Sequence, residues 1–150
     1  MEAKKDISKK DIRWKQRFQN FSRAYNLLSE AFENDIDNLS ALEQEGIIQR
    51  FEYTFELGWK TFKDYLDYSG IILSEITPRK VIKECATKGI FAEAGIDPEV
   101  YLDMMLERNL LSHTYDFDVF SKSLENIKKL YLPALSSQYN FFASKEPNYA

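Results

Sequence analysis

Apolar side chains recur early in the chain at Trp14, Phe18, Phe21, Tyr25, Leu28 and Phe32, stepping by 4, 3, 4, 3 and 4 residues. That interval follows the turn of an α-helix, so these residues form one core-facing stripe of a helix over about residues 9–33. The run Asn34-Asp35-Ile36-Asp37-Asn38 breaks the pattern. Ser40-Ala41-Leu42-Glu43 then has the spacing of a capping box, in which the Ser and Glu side chains satisfy each other's backbone N–H groups, and opens a second helix. Its apolar face carries Ile48, Phe51, Phe55, Phe62 and Leu66 with Gly58 and Trp59, and it runs to Tyr68 before Gly70 stops it. Thr77-Pro78 supplies a cap and a first-turn proline for a short helix ending near Gly89, and Asp97-Pro98-Glu99 repeats the device for a fourth helix through about Ser112. Asp116 can cap a last helix whose apolar positions Phe120, Leu124, Ile127, Tyr131, Ala134 and Tyr139 continue to roughly residue 142, with a local kink at Pro133. No segment alternates with the period of a half-buried strand. The predicted fold is all-α, an antiparallel up-and-down bundle of four main helices with one short extra helix.

Composition narrows the class. With 150 residues, 44% of them hydrophobic, the chain reads as one domain over 1–150, with a core over about 9–142 and flexible ends. A lone Cys85 excludes an internal disulfide, and one histidine with one cysteine makes a zinc cage implausible, so no metal is expected. The longest purely aliphatic run is Ile71-Ile72-Leu73, which predicts no membrane span, and a reducing cytoplasmic setting is the default. The net charge of −4 is uneven: residues 1–23 hold eight basic and three acidic side chains, leaving −9 for the remainder. Such a first helix could face an anionic partner, or it could be a solvated helix face.

Phosphate loops and nucleophile elbows are missing from the sequence, so most enzyme classes fall away. What remains is Glu107-Arg108-Asn109-Leu110-Leu111-Ser112-His113-Thr114-Tyr115-Asp116. On a continuous helix Asn109 and His113 would be one turn apart, as would Arg108 and Ser112, while Met104, Met105 and Leu111 turn to the core. An Arg can grip a phosphate with a bidentate fork, and a His titrates near neutral pH, which suits RNA cleavage by attack of the 2′-hydroxyl on the adjacent phosphorus. A helix end with a salt-bridged Arg and a hydrogen-bonded His is the plainer reading of the same spacing.

Arg108, four residues, His113, one residue and Tyr115 match the arginine-x4-histidine-x-tyrosine signature, and the chain resembles HEPN-domain proteins of the HepT kind. Gln49 to Lys63, centred on Phe55-Glu56-Leu57-Gly58-Trp59-Lys60, is similar to the second-helix signature of the nucleotidyltransferase substrate-binding family within that superfamily. Ile12 to Phe18 and Tyr131-Leu132-Pro133-Ala134-Leu135 resemble its opening and close, so the likeness covers about residues 11–140.

The resemblance implies a homodimer, a separately encoded minimal nucleotidyltransferase as partner, and RNA or a nucleotide as substrate. It implies no cofactor. It also carries two functional readings. In one, the protein is the toxin of a toxin–antitoxin pair, a metal-independent ribonuclease with Arg108 and His113 as catalytic residues, Asn109 in support, and Tyr115 as acceptor of AMP from the partner. In the other, it is a non-catalytic subunit that binds the transferase's substrate. Glu56, Trp59 and Lys60 would border the dimer or partner surface. The carboxylates lack the paired Asp-x-Asp setting of a two-metal nucleotidyltransferase, so the chain is not expected to be the transferase itself. Cleavage needs a base at the 2′-hydroxyl and an acid at the leaving 5′-oxygen, and one histidine per chain makes a two-fold dimer the economical way to supply both.

Overall fold

The computed structural model describes residues 2–146, with side chains from Ser8 onward. The expectation of flexible ends concerns, at its extremes, Met1 and residues 147–150, which lie outside the described residues.

Helix α1 (Glu2–Ala31) and helix α2 (Ala41–Tyr68) form a long antiparallel hairpin joined through a 3₁₀ turn at Ile36–Asn38. The capping box forms as the sequence predicts: the Ser40 hydroxyl accepts from Glu43 N–H at 3.1 Å, and the Glu43 carboxylate accepts from Ser40 N–H at 3.1 Å. Thr77 and Pro78 start α3 (Pro78–Thr87), and Asp97 and Pro98 start α5 (Pro98–Leu111), each with the cap side chain accepting a first-turn N–H. Between them lies α4 (Ile90–Ala94), which the sequence reading did not anticipate. It is too short to show a period, and Gly89 and Gly95, both with positive φ, bracket it so that Ile90 and Phe91 enter the core.

The expected last helix is α6 (Phe117–Asn126) and α7 (Leu132–Lys145) joined by a π-helical turn at Ile127–Tyr131. Pro133 has no N–H, and its ring crowds the carbonyl one turn back. The helix accommodates this by widening, and Leu132 N–H bonds to the Ile127 carbonyl five residues behind it. The kink predicted at Pro133 is therefore a wide turn just ahead of it.

The pairing of rings and ions gives the topology. Arg17 reaches Asp64 and Arg50 reaches the Leu27 carbonyl, so α1 and α2 run oppositely. Phe55 and Phe62 lie against Tyr101 while Glu52 meets Ser112, so α5 opposes α2. Phe51 stacks on Tyr131 and Phe62 packs on Phe142, so the α6–α7 rod is parallel to α2. Four rods thus alternate up and down, with α3 and α4 in the α2-to-α5 connection, and no strand occurs among the described residues. No described helix is long and apolar enough to cross a membrane.

Aromatic rings fill the centre: Phe18, Phe62, Phe91, Tyr101 and Phe142 are fully or almost fully buried and lie in mutual contact at centroid distances between 5.1 and 5.8 Å. Two polar features cross this core. Asp64, 1% exposed, takes a hydrogen bond from Arg17 Nε at 3.1 Å and has Lys63 at ion-pair distance, 3.5 Å, tying α1 to α2. The buried Tyr101 hydroxyl donates to Gln138 Oε1 at 2.8 Å, and Gln138 Nε2 donates to the Gly58 carbonyl at 2.8 Å, joining α5, α7 and α2. Burial raises the Tyr101 hydroxyl well above the usual phenol range, so it stays a donor.

Gly58 makes this junction possible, because a Cβ there would stand 2.8 Å from the Tyr101 hydroxyl and 3.2 Å from Gln138 Oε1. Alanine would gain about 1 kcal/mol in helix propensity, yet overpacking costs about 1–3 kcal/mol and a disturbed buried hydrogen bond about 1–3 kcal/mol more. Gly58→Ala is expected to lose about 2 kcal/mol net, read as a lower urea midpoint at unchanged slope; a variant as stable as wild type would show that the junction has slack.

Candidate functional site

Helix α5 ends where its sequence pattern places it, at about Ser112. Ser112 caps it, its hydroxyl donating to the Arg108 carbonyl at 3.0 Å, and His113 N–H bonds back to Leu110 O at 3.1 Å. The Arg108 carbonyl also accepts the Ser112 N–H at 3.1 Å, so the last helical bond is intact and the chain tightens only at His113. Arg108 therefore lies in the last helical turn, where a cation is favoured by the helix dipole. His113, Thr114 and Tyr115 form the turn that follows, and Asn109 and His113 are not one-turn helical neighbours. Thr114 Oγ1 accepts from Asp116 N–H at 3.3 Å, and Asp116 caps α6 by accepting from Asp118 N–H at 2.9 Å, so both sides of the turn are fixed.

The two rings on this turn are open to solvent. Tyr115 is 90% exposed and His113 is also exposed, and neither side chain hydrogen-bonds to any described residue. The plainer expectation of a hydrogen-bonded His at a helix end is not what forms. Beside the turn lies an open groove of about 320 Å³, walled by Glu45, Gln49 and Glu52 of α2 and by Ser112, Thr114 and Tyr115. Ser112 Oγ contacts Glu52 Oε2 at 3.4 Å. The wall that faces Tyr115 is thus acidic, a feature the motif spacing gave no hint of.

Arg108 is the anchored member. Its Nη2 donates to Glu56 Oε2 at 3.0 Å and its Nη1 to Asn109 Oδ1 at 3.4 Å, while its Nε is buried without a hydrogen-bond partner among the described residues. Glu56 receives two further donors: the indole N–H of the buried Trp59 at 3.1 Å on Oε2, and Lys60 Nζ at 3.1 Å on Oε1. Lys60 also sits 5.9 Å from the centre of the Trp59 ring. Partial burial pushes the Glu56 carboxyl upward, but hydrogen bonds from Trp59 and Lys60, with the charges of Lys60 and Arg108, outweigh it and leave the group below its ordinary range. The three α2 residues expected at a partner surface are therefore tied to the motif arginine. The sequence held the signal, since Glu56, Trp59 and Lys60 lie at i, i+3 and i+4 on one helix face, but nothing in it named Arg108 as their partner.

Among the described side chains of the basic first helix, Lys10 and Arg13 lie within ion-pair range of Asp67, Lys15 of Asp11 and Glu146, and Arg17 of Asp64. These four cations are directed to acidic groups of the bundle itself.

Residues 16–144 match the profile of a protein family described as nucleotidyltransferase substrate binding protein like. The chain belongs to this family. The match takes in the whole cluster from Glu56 to Tyr115 and most of the bundle, as the sequence resemblance implied. The name of the family implies a nucleotidyltransferase as partner. No curated protein matches the chain closely enough to add a named relative.

A carboxyl held below its ordinary range contributes stability that is present above the unfolded pKa, about 4.3 for Glu, and is lost as pH falls through the folded value. Glu56→Gln should therefore unfold at lower temperature than wild type at neutral pH, and the gap should close as pH drops below that range. Calorimetric unfolding across pH checks this; a gap that stays constant would show that the ionised Glu56 is not what the site rewards.

Proposed function

We propose that the protein is a HEPN-type ribonuclease of a toxin–antitoxin pair, cleaving RNA without a metal and silenced when its nucleotidyltransferase partner transfers AMP to Tyr115. The observation that carries this reading is the exposed turn itself: an unbonded imidazole and an unbonded phenol on the turn that follows the helix end at which Glu56 holds Arg108. In the reaction, His113 accepts the proton of the RNA 2′-hydroxyl as that oxygen bonds to phosphorus. The bond from phosphorus to the 5′-oxygen breaks, and an imidazolium protonates the departing oxygen, leaving a 2′,3′-cyclic phosphate and a 5′-hydroxyl. Arg108 neutralises the charge that builds on the phosphoryl oxygens, where a fixed donor is worth most. One histidine per chain supplies one of the two proton-transfer groups, so the second comes from His113 of the other chain across a two-fold homodimer, which also doubles the arginines.

The acidic groove wall bears on regulation. A bare phosphodiester is repelled by Glu45 and Glu52, so tight RNA binding needs the paired Arg108 side chains. AMP on the Tyr115 oxygen would add an anion and a nucleoside two residues from His113, blocking the RNA by charge and by volume. The alternative, a non-catalytic subunit that binds nucleotide substrate for the transferase, is favoured by the family's description.

The two readings part at His113. Protein freed of AMP should cut single-stranded RNA, and His113→Ala should lose about 10²–10⁴-fold in rate, the usual size of a general acid–base contribution, with its fold and partner binding intact. Incubation with the partner and ATP should silence wild type and spare Tyr115→Phe. RNA left whole by AMP-free wild type would establish the binding subunit instead.

A further inference from the structure

We propose that Glu56 is a positioning residue, holding the Arg108 guanidinium so that two of its N–H groups face a phosphodiester. The identity of the ligand rests on the ribonuclease reading above; the positioning rests on geometry alone.

A guanidinium carries five N–H groups. Glu56 Oε2 takes one from Nη2 and Asn109 Oδ1 takes one from Nη1, while the Nε–H is buried without a partner among the described residues. One N–H then remains on each terminal nitrogen, the two prongs with which an arginine grips a phosphate. A buried donor left unmade opposes this rotamer, so something must outweigh it. Glu56 is the opposite charge in contact with the group, and it is itself fixed: the Trp59 indole, 7% exposed, holds Oε2 at 3.1 Å, and Lys60 holds Oε1 at 3.1 Å. With two cations on one carboxylate the cluster keeps a net charge of +1, so neutralising Arg108 locally does not remove its attraction for an anion. The Glu56–Arg108 pair is about a third exposed, so solvent screening keeps its stabilising effect modest, and orientation is the second thing the contact accomplishes.

The charges make the consequence asymmetric. Replacing Glu56 by glutamine raises the local positive charge and leaves only a neutral amide oxygen, a weaker acceptor than a carboxylate, to hold the guanidinium, so RNA affinity should hold or rise as turnover falls. A carboxylate that merely blocks Arg108 would give faster turnover on removal, and a purely structural tie would change neither parameter.

The test uses the full-length protein as wild type, Glu56→Gln and Glu56→Asp. In ¹⁵N-labelled protein the Arg108 terminal N–H signals should be resolved in wild type, averaged in Glu56→Gln and intermediate in Glu56→Asp, which also serves if the glutamine variant does not fold. In parallel, cleavage of a fluorescein-labelled mixed-sequence single-stranded RNA should fall about tenfold or more in Glu56→Gln, the scale of a misplaced catalytic group. Binding of its 2′-O-methyl analogue should not weaken. Resolved Arg108 signals in Glu56→Gln overturn the proposal, as does undiminished cleavage by that variant beside an active wild type. Averaged signals in Glu56→Gln with a wild type that cuts no RNA would uphold the positioning and reject the ribonuclease reading.

Discussion

The closeness of α2 to α5 and α7 at Gly58 is the constraint on which the site depends. Without a side chain there, the Tyr101 hydroxyl and the Gln138 amide meet the α2 backbone, and the hydrogen bonds from Tyr101 to Gln138 and from Gln138 to the Gly58 carbonyl fix the register of three helices. Glu56 lies half a turn before Gly58 and Arg108 two turns beyond Tyr101 on the opposing helix. Their 3.0 Å contact is therefore a consequence of the junction, and so is the approach of Glu52 to Ser112 one turn further along. A buried polar network of this kind specifies one packing where apolar rings alone would tolerate several.

The bundle was legible because its sequence states the same thing at several levels. The helical period of Trp14, Phe18, Phe21 and Leu28 places a buried stripe, and each of those four residues is buried. Ser40, Thr77, Asp97 and Asp116 each announce a helix start by local chemistry, and each caps one. What escaped is what depends on context. The short α4 is set by two glycines and by where Phe91 can go, and the π turn before Pro133 is a backbone response to a missing N–H.

The site divides the same way. Arg108, His113 and Tyr115 could be singled out by residue type and spacing, because they are the groups with chemistry to offer. Their surroundings could not. The acidic wall comes from a helix sixty residues earlier in sequence, and the link from Glu56 to Arg108 crosses 52 residues. Contacts of that separation follow from the fold and leave no local trace. The structure also reassigns charge: several cations of the basic first helix, the most conspicuous electrostatic feature of the sequence, pair with Asp64, Asp67 and Glu146, whereas Arg108 and Lys60 share one carboxylate and retain a net positive charge.

The central claim is that this turn performs proton transfer on RNA through the substrate's own 2′-hydroxyl. The most direct measurement is mass spectrometry of the RNA ends left by the AMP-free protein in the presence of a chelator. The account predicts 2′,3′-cyclic phosphates paired with 5′-hydroxyls. Ends bearing 5′-phosphates and 3′-hydroxyls, or no new ends at all, would contradict it.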